Sequence, residues 1–256
     1  KNYADPRVLS NYGTICNQLG NLEKAIDLYR SSIKLFPENP DSYYNLANIL
    51  KDLEKFSEAE TYMRKAIELK SNFDSAYLNL GVILKEQGNL KEAESVTNKS
   101  IEINPNLPQS YYNLGIILKE QGKLIEAEQS IRKSIEINPN VAWSYINLGS
   151  ILKDQDRFKE AEFYTQKSLE MNPNCVDSNF NLGIIFLNQG DFKKASLCFF
   201  KVIELDPNFS KAYYLLSTLK LDSDKSKLYE FLFSDKILSK KKPLELVDIY
   251  FARSNF

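Results

Sequence analysis

Histidine is absent from all 256 residues, which removes the commonest general base and the commonest metal ligand from any chemistry the chain performs. Cysteine is nearly as scarce. Cys16, Cys175 and Cys198 are odd in number and show no metal-ligand spacing, so they read as small apolar packers in a reducing, cytoplasmic setting. Charge of one sign is missing too: 33 basic residues balance 34 acidic ones for a net charge of −1. A nucleic-acid partner calls for a basic excess, so none is expected. No apolar run approaches the ~18 residues that cross a bilayer, and no secretory signal pattern is present, so no membrane is expected. Phosphate-cradling GxxxxGK[ST] and GxGxxG loops are also lacking. Together these absences predict no enzyme activity, no metal and no cofactor in these residues.

What the chain does contain is one two-helix phrase written six times with a period of 34 residues: 6–39, 40–73, 74–107, 108–141, 142–175 and 176–209. Counting positions from Pro6, position 7 is Tyr12, Leu46, Leu80, Leu114, Leu148 and Leu182. Position 8 is Gly13, Ala47, Gly81, Gly115, Gly149 and Gly183. Position 20 is alanine in every repeat, from Ala25 to Ala195, and position 32 is proline in all but the second, where Ser71 stands. In the third repeat Tyr77, Leu80, Gly81 and Leu84 form an i, i+3, i+4, i+7 stripe. Gly88 then sits where a helix end needs a left-handed residue, and Pro105 stops the second helix. Interior glycine costs a helix ~1 kcal/mol relative to alanine, so its recurrence at position 8 predicts close approach to the in-register alanine at position 20. Glu54 and Asp156 replace the turn glycine in repeats two and five, and those two turns are expected to be less well formed.

A fixed period of this length with these landmarks resembles the tetratricopeptide repeat (TPR) family over 6–209. The resemblance implies an all-α, right-handed superhelical solenoid of stacked antiparallel hairpins, its first helices lining a concave groove that receives a protein or peptide partner. Residues 1–5 form a flank, 210–239 a partial seventh repeat with capping helices, and 240–256 a linker and the start of a further helix.

On a helical wheel, positions 4, 7, 8 and 11 of the first helix face the core, and positions 2, 6, 9 and 13 point away. Position 6 is asparagine six times: Asn11, Asn45, Asn79, Asn113, Asn147 and Asn181. A carboxamide accepts once and donates twice, so such a row matches the backbone of an extended peptide whatever its side chains. This is similar to the asparagine ladder in the TPR arm of O-linked N-acetylglucosamine transferases. The alternative is structural: asparagine is frequent at this position in the family and satisfies neighbouring helices or water. Apolar groups beside the row, Tyr44, Tyr112, Phe180, Val82, Ile116 and Trp143, predict anchor sites for partner side chains. Lys85 and Lys119 belong to a position-12 lysine stripe that runs beside acids at position 13, which argues for a solvated face.

After Phe209 the pattern breaks. Tyr213, Leu216 and Ser217 begin a seventh first helix, Asp222 to Lys227 reads as a polar turn, and Leu228, Phe231, Leu232, Ile237 and Leu238 read as a cap. Lys240, Lys241 and Lys242 read as a linker flank before Pro243. Leu244 to Phe256 is apolar almost all round, which leads us to expect a longer protein. The phrases RVLSNYG, NLGxILKxQG, SIEINPN and LVDIYFARSNF resemble TPR–sulfotransferase-like proteins of cyanobacteria. Two functions follow: a module that binds a polypeptide along its groove, or the substrate-recruiting arm of a larger transferase, sulfotransferase-like or O-glycosyltransferase-like. An RNA-reading repeat ranks behind both, because it needs a basic surface. Weak self-association through the exposed solenoid ends is the remaining expectation.

Overall fold

The computed structural model describes residues 5–219, 229–230, 232–233 and 243–255. Among them the chain forms fourteen helices and no strand. It divides into two compact units, Lys1–Pro139 and Asn140–Phe256. The first unit holds four hairpins: α1 (Pro6–Gln18) with α2 (Leu22–Leu35), α3 (Pro40–Asp52) with α4 (Phe56–Leu69), α5 (Asp74–Glu86) with α6 (Leu90–Ile103), and α7 (Pro108–Glu120) with α8 (Leu124–Ile137). The second holds α9 (Ala142–Asp154) with α10 (Phe158–Met171), α11 (Val176–Asn188) with α12 (Phe192–Leu205), then α13 (Ser210–Thr218) and α14 (Pro243–Ser254).

The starts and stops follow from local chemistry. Proline occupies the first helical position of α1, α3 and α7, where its missing N–H costs nothing. Asn21, Asn39 and Asp191 cap α2, α3 and α12 by accepting from the N–H of Lys24, Asp41 and Lys194. The turn glycines Gly20, Gly88, Gly122 and Gly190 take φ of 76° to 78°. Glu54 and Asp156 adopt the same left-handed conformation, at φ 59° and 60°, so the expectation of poorer turns does not hold. The N–H of Lys55 reaches the carbonyl of Leu50 at 2.8 Å, as that of Asn89 reaches Leu84 at 2.8 Å. Turn hydrogen bonding prevails over a backbone penalty of ~1 kcal/mol at each non-glycine.

Inside each hairpin the alanines of position 20 are fully buried, from Ala25 to Ala195. The glycine of position 8, however, makes room chiefly for the side chain at position 24. A Cβ on Gly115 would stand 2.6 Å from Ile131 and 3.2 Å from the carbonyl oxygen of Ala127, and one on Gly183 would stand 2.5 Å from Phe199. Where the chain places Ala47 instead, position 24 is the flexible Met63, and both are fully buried.

Successive hairpins stack by laying the second helix of one on the first helix of the next, α2 on α3, α4 on α5 and α6 on α7, and in the second unit α10 on α11 and α12 on α13. Positions 27 and 3 meet at this seam. Ser32 and Ser42 share a buried hydrogen bond of 3.0 Å, Ser100 and Ser110 one of 2.8 Å, and Ser168 and Ser178 one of 2.7 Å. At the α4–α5 and α12–α13 seams both members are apolar, Ala66 with Ala76 and Val202 with Ala212, all fully buried. A serine against an alanine would strand a hydroxyl, and no described seam has one.

First helices of neighbouring repeats also touch one another, α1 with α3, α3 with α5, α5 with α7, and α9 with α11. Neighbouring second helices are bridged by long side chains such as Arg64 to Glu92 at 2.6 Å. The first-helix face is thus the closely spaced side of each unit.

The seventh first helix expected at Tyr213, Leu216 and Ser217 is α13, with Tyr213 and Leu216 buried. Its companion is α14. Ser210 donates to Asp248 at 2.9 Å and Asn255 to Ser217 at 3.0 Å, both across 38 residues, so α14 runs parallel to α13 instead of returning beside it. Of the expected cap, Leu232 is fully buried. The polar turn at Asp222 to Lys227, the cap residues Leu228, Phe231, Ile237 and Leu238, and the lysine triplet lie outside the described residues.

Candidate functional site

In the first unit the asparagine row runs along α1, α3, α5 and α7. Asn45, Asn79 and Asn113 are half-buried, and Asn11 is exposed. Their hydrogen bonding is not uniform. Asn79 donates both amide protons to the preceding repeat, to the Tyr44 hydroxyl at 3.1 Å and to Asn48 Oδ1 at 2.8 Å. Only its oxygen remains to accept. Asn45 and Asn113 form no side-chain hydrogen bond among the described residues. In the second unit Asn147 donates to the carbonyl of Trp143, one turn back on α9, at 2.9 Å, whereas the Asn181 side chain forms no such bond.

The apolar neighbours are likewise divided between packing and display. Tyr44 lies against Phe73 with ring centroids 4.8 Å apart, and its hydroxyl holds Asn79. Phe180 packs between Phe199 at 5.8 Å and Phe209 at 4.7 Å, so its ring is committed to the second core. Val82, Ile116, Tyr112 and Trp143 are half-buried on their first helices. The lysine stripe is neutralised in place: Lys51 pairs with Asp52 at 3.1 Å and Lys153 with Asp154 at 3.1 Å. Lys85 pairs with Glu86 and reaches Glu120 on α7 at 3.8 Å. Lys119 keeps its position-12 place on α7, half-buried and with a partner.

A hollow of about 470 Å³ opens on this face at the first two repeats. Its walls include Asn11 and Asn45 from the row, with Arg7, Thr14, Asp41 and Tyr44 around them. Arg7 and Asp41 did not stand out in the sequence, because position 2 varies through Arg7, Asp41, Ser75, Gln109, Trp143 and Asp177. A second hydrogen-bonding pair lies deeper, where the hydroxyls of Thr14 and Tyr29 meet at 2.9 Å. Burial raises the pKa of Tyr29, and pushes Cys198 up to about 11 and Tyr213 up to about 12. All three stay neutral and apolar in character at ordinary pH. Among the described residues no group of histidine, cysteine, aspartate and glutamate is placed to hold a metal ion, and no helix is long and apolar enough to cross a membrane.

Stacked two-helix hairpins with a period of 34 residues and small residues at positions 8 and 20 define a helical-repeat solenoid. The chain belongs to the tetratricopeptide-repeat family, whose sequence profiles match residues 13–54, 40–73, 74–107, 106–174 and 176–209. No curated protein sequence matches it. Among solved structures, the chain is similar to one in the APC/C hetero-tetramer Cut9–Hcn1 (TM-score 0.76, 15% identity), covering 85% of this chain and 43% of that one. It thus spans under half the length of that neighbour. PilF of Pseudomonas aeruginosa is similar over 79% of this chain and 92% of its own (TM-score 0.70, 20% identity). YrrB, described as a TPR protein with an unusual peptide-binding site, is similar over 72% and 95% (TM-score 0.58, 23% identity). At these identities the likeness establishes the fold. TPR proteins of this kind are generally non-catalytic scaffolds that bind protein or peptide partners.

Proposed function

We propose that the chain binds an extended polypeptide segment along its first-helix face, with the position-6 asparagines gripping the segment's backbone. The observation that carries this reading is the unspent carboxamide of Asn45 and Asn113 in the first unit, set beside an Asn79 whose oxygen is still free to accept. Each backbone hydrogen bond contributes about 0.5–1.5 kcal/mol net, so a few suffice for a weak grip that tolerates many sequences. Val82 and Ile116, displayed beside the row, supply apolar anchoring, and the hollow around Asn11 and Asn45 receives one end of the segment. The peptide-binding site named for YrrB lends the reading a precedent in the same fold.

The structural reading of the row fits Asn79 and Asn147, whose amide protons are taken up internally, and so divides the ladder into holders and grippers. Recruitment for a catalytic domain elsewhere on the polypeptide, the second function drawn from resemblance, would use the same grippers and adds no residue here. Nucleic acid is disfavoured as a ligand because the position-12 lysines are already paired. The three cysteines, all free, suit a cytoplasmic setting. Self-association rests on Val247, Tyr250 and Phe251, exposed on α14, and sedimentation at rising concentration tests it.

The test of the main reading is to select linear peptides from a random display library on the whole chain, then measure their affinity for variants. Asn45→Ala with Asn113→Ala is expected to weaken binding about tenfold at unchanged helicity. Undiminished affinity would remove the ladder.

A further inference from the structure

Position 22 of the repeat lies on the outward side of every second helix and is exposed in all six hairpins. In the four hairpins of the first unit it is polar: Asp27, Thr61, Ser95 and Gln129. In the second unit it is Phe163 on α10 and Leu197 on α12, exposed by 52% and 65%. A single exposed apolar residue is ordinary, but two at one repeat position, on the two second helices of one unit, form a row. Stacking does not cover this position. Thr61 and Ser95 remain exposed although a hairpin packs on either side of α4 and of α6. No further hairpin of the array, wherever the array begins or ends, would therefore bury Phe163 or Leu197.

The charges around the row differ from those of the first unit as well. There the lysine at position 26 is closed by the glutamate at position 29, as in Lys65 with Glu68, Lys99 with Glu102 and Lys133 with Glu136. In the second unit Lys167 turns back instead, its ammonium 4.8 Å from the centre of the Phe163 ring and 6.0 Å from that of Tyr145. Lys201 at position 26 of α12, and Lys159 and Lys193 at position 18, form no ion pair among the described residues. Phe163 also meets Tyr164 edge-on at 5.1 Å, so its ring is fixed by an aromatic neighbour and a cation before any partner arrives. A preset ring loses little freedom on binding.

Lysine thus flanks the apolar row on both sides. Positions 18 and 26 are eight residues apart, about 12 Å along a helix, and a helix with its side chains is about 10–12 Å wide. A helix laid over the apolar row, across α10 and α12, therefore places both of its flanks against lysine. We infer that the outward face of α10 and α12 is a docking surface for an acidic amphipathic helix of a partner protein, apolar along its contact stripe and carboxylate-bearing on both flanks. An anionic lipid surface fits less well. It is flat, and it would meet Glu170 and Glu204, exposed at position 29 one turn beyond the lysines, together with them. The asparagine row lies on the first helices, and this surface does not depend on it.

The probe is a fluorescein-labelled synthetic helix of two heptads, stapled on its solvent side, with leucine at a and d and glutamate, glutamine or lysine at e and g. Fluorescence anisotropy against the whole chain should rank the glutamate probe first, about tenfold tighter than the glutamine probe, with no binding of the lysine probe. Phe163→Thr with Leu197→Ser writes in residues that the first unit carries at position 22, so folding is kept. It should weaken the glutamate probe about tenfold at unchanged helicity. Lys159→Glu with Lys201→Glu should turn the preference from the glutamate probe to the lysine probe. The same charge change on the first unit, Lys65→Glu with Lys99→Glu, should leave the affinity unaltered; an equal effect there would mean diffuse attraction and overturn the inference. Equal affinity of the glutamate and glutamine probes, or binding indifferent to the Phe163 and Leu197 changes, would overturn it too. So would capture of the chain by phosphatidylserine vesicles that those changes abolish, because a lipid surface would then be the occupant.

Discussion

On α4, α6 and α8 the charges are closed within a turn: Lys65 holds Glu68 at 2.7 Å, Lys99 holds Glu102 at 2.8 Å, and Lys133 holds Glu136 at 2.7 Å. On α3, α5 and α9 a lysine closes on the adjoining acid, while the position-6 amides of Asn45, Asn113 and Asn181 stay unspent. A charge pair on an exposed face contributes little to stability and offers little to a partner. A half-buried carboxamide with no partner of its own keeps its full hydrogen-bonding capacity for one. The difference separates a face whose charged groups are paired from one that keeps unpaired amides, the groups on which the proposed grip on a guest depends. That contrast can be broken or sharpened by substitution.

The largest effect is expected inside the hairpin that carries both faces. Gly115→Leu should lower stability by about 3 kcal/mol in thermal melting, since even a Cβ collides with Ile131. Unchanged melting would show that the two helices are not held apart by the side chain at position 24. Next come the buried serine seams. Ser168→Ala should cost about 1–2 kcal/mol by stranding the Ser178 hydroxyl, whereas Ser168→Ala with Ser178→Ala should cost less than the single change. A double variant worse than the single one would mean the pair contributes more than matched polarity. Smaller again, Glu54→Gly and Asp156→Gly should each stabilise by ~1 kcal/mol, because both residues occupy a left-handed conformation.

The smallest effect concerns pH. The Asn104 side-chain amide, hydrogen-bonded to Asp74 at 2.8 Å, and then the Ser75 N–H and hydroxyl lower its pKa below the ordinary carboxylate value. The stability this contributes is present above the unfolded-state value of about 3.9 and is lost as pH falls through the lower folded value. Asn104→Ala should therefore make unfolding set in at slightly higher pH on an acid titration followed by circular dichroism. A profile identical to the parent would remove the linkage.

How much of this was legible beforehand follows from what recurs. Position 20 alanine, the turn glycines and the position-6 asparagines repeat every 34 residues, so the hairpins and the row could be read directly. The partner of the position-8 glycine could not, because position 24 varies through Tyr29, Met63, Thr97, Ile131, Thr165 and Phe199 and carries no periodic signal. The serine seam was hidden for another reason: Ser32 and Ser42 fall in different repeats, and only the stacking of α2 on α3 brings them together. Glu54 and Asp156 misled because propensity disfavours a left-handed acid, while the surrounding turn bonds enforce it. In the candidate site, Asn45 and Asn79 hold the same position of the repeat. Their fates diverge because Tyr44 and Asn48 stand opposite Asn79, a tertiary circumstance that one repeat does not encode. Parallel packing of α14 on α13 had no sequence signal, since the segment that precedes α14 departs from the 34-residue period.

The most direct measurement is a double-mutant cycle between the free asparagines and a ligand backbone. A peptide selected on the whole chain is remade with a single amide replaced by an ester at each position in turn, which deletes one N–H donor and keeps every side chain. Each ester peptide is then titrated against the parent chain and against Asn113→Ala. The account predicts one position at which the two changes are non-additive, with a coupling of about 1 kcal/mol. Strict additivity at every position would contradict it.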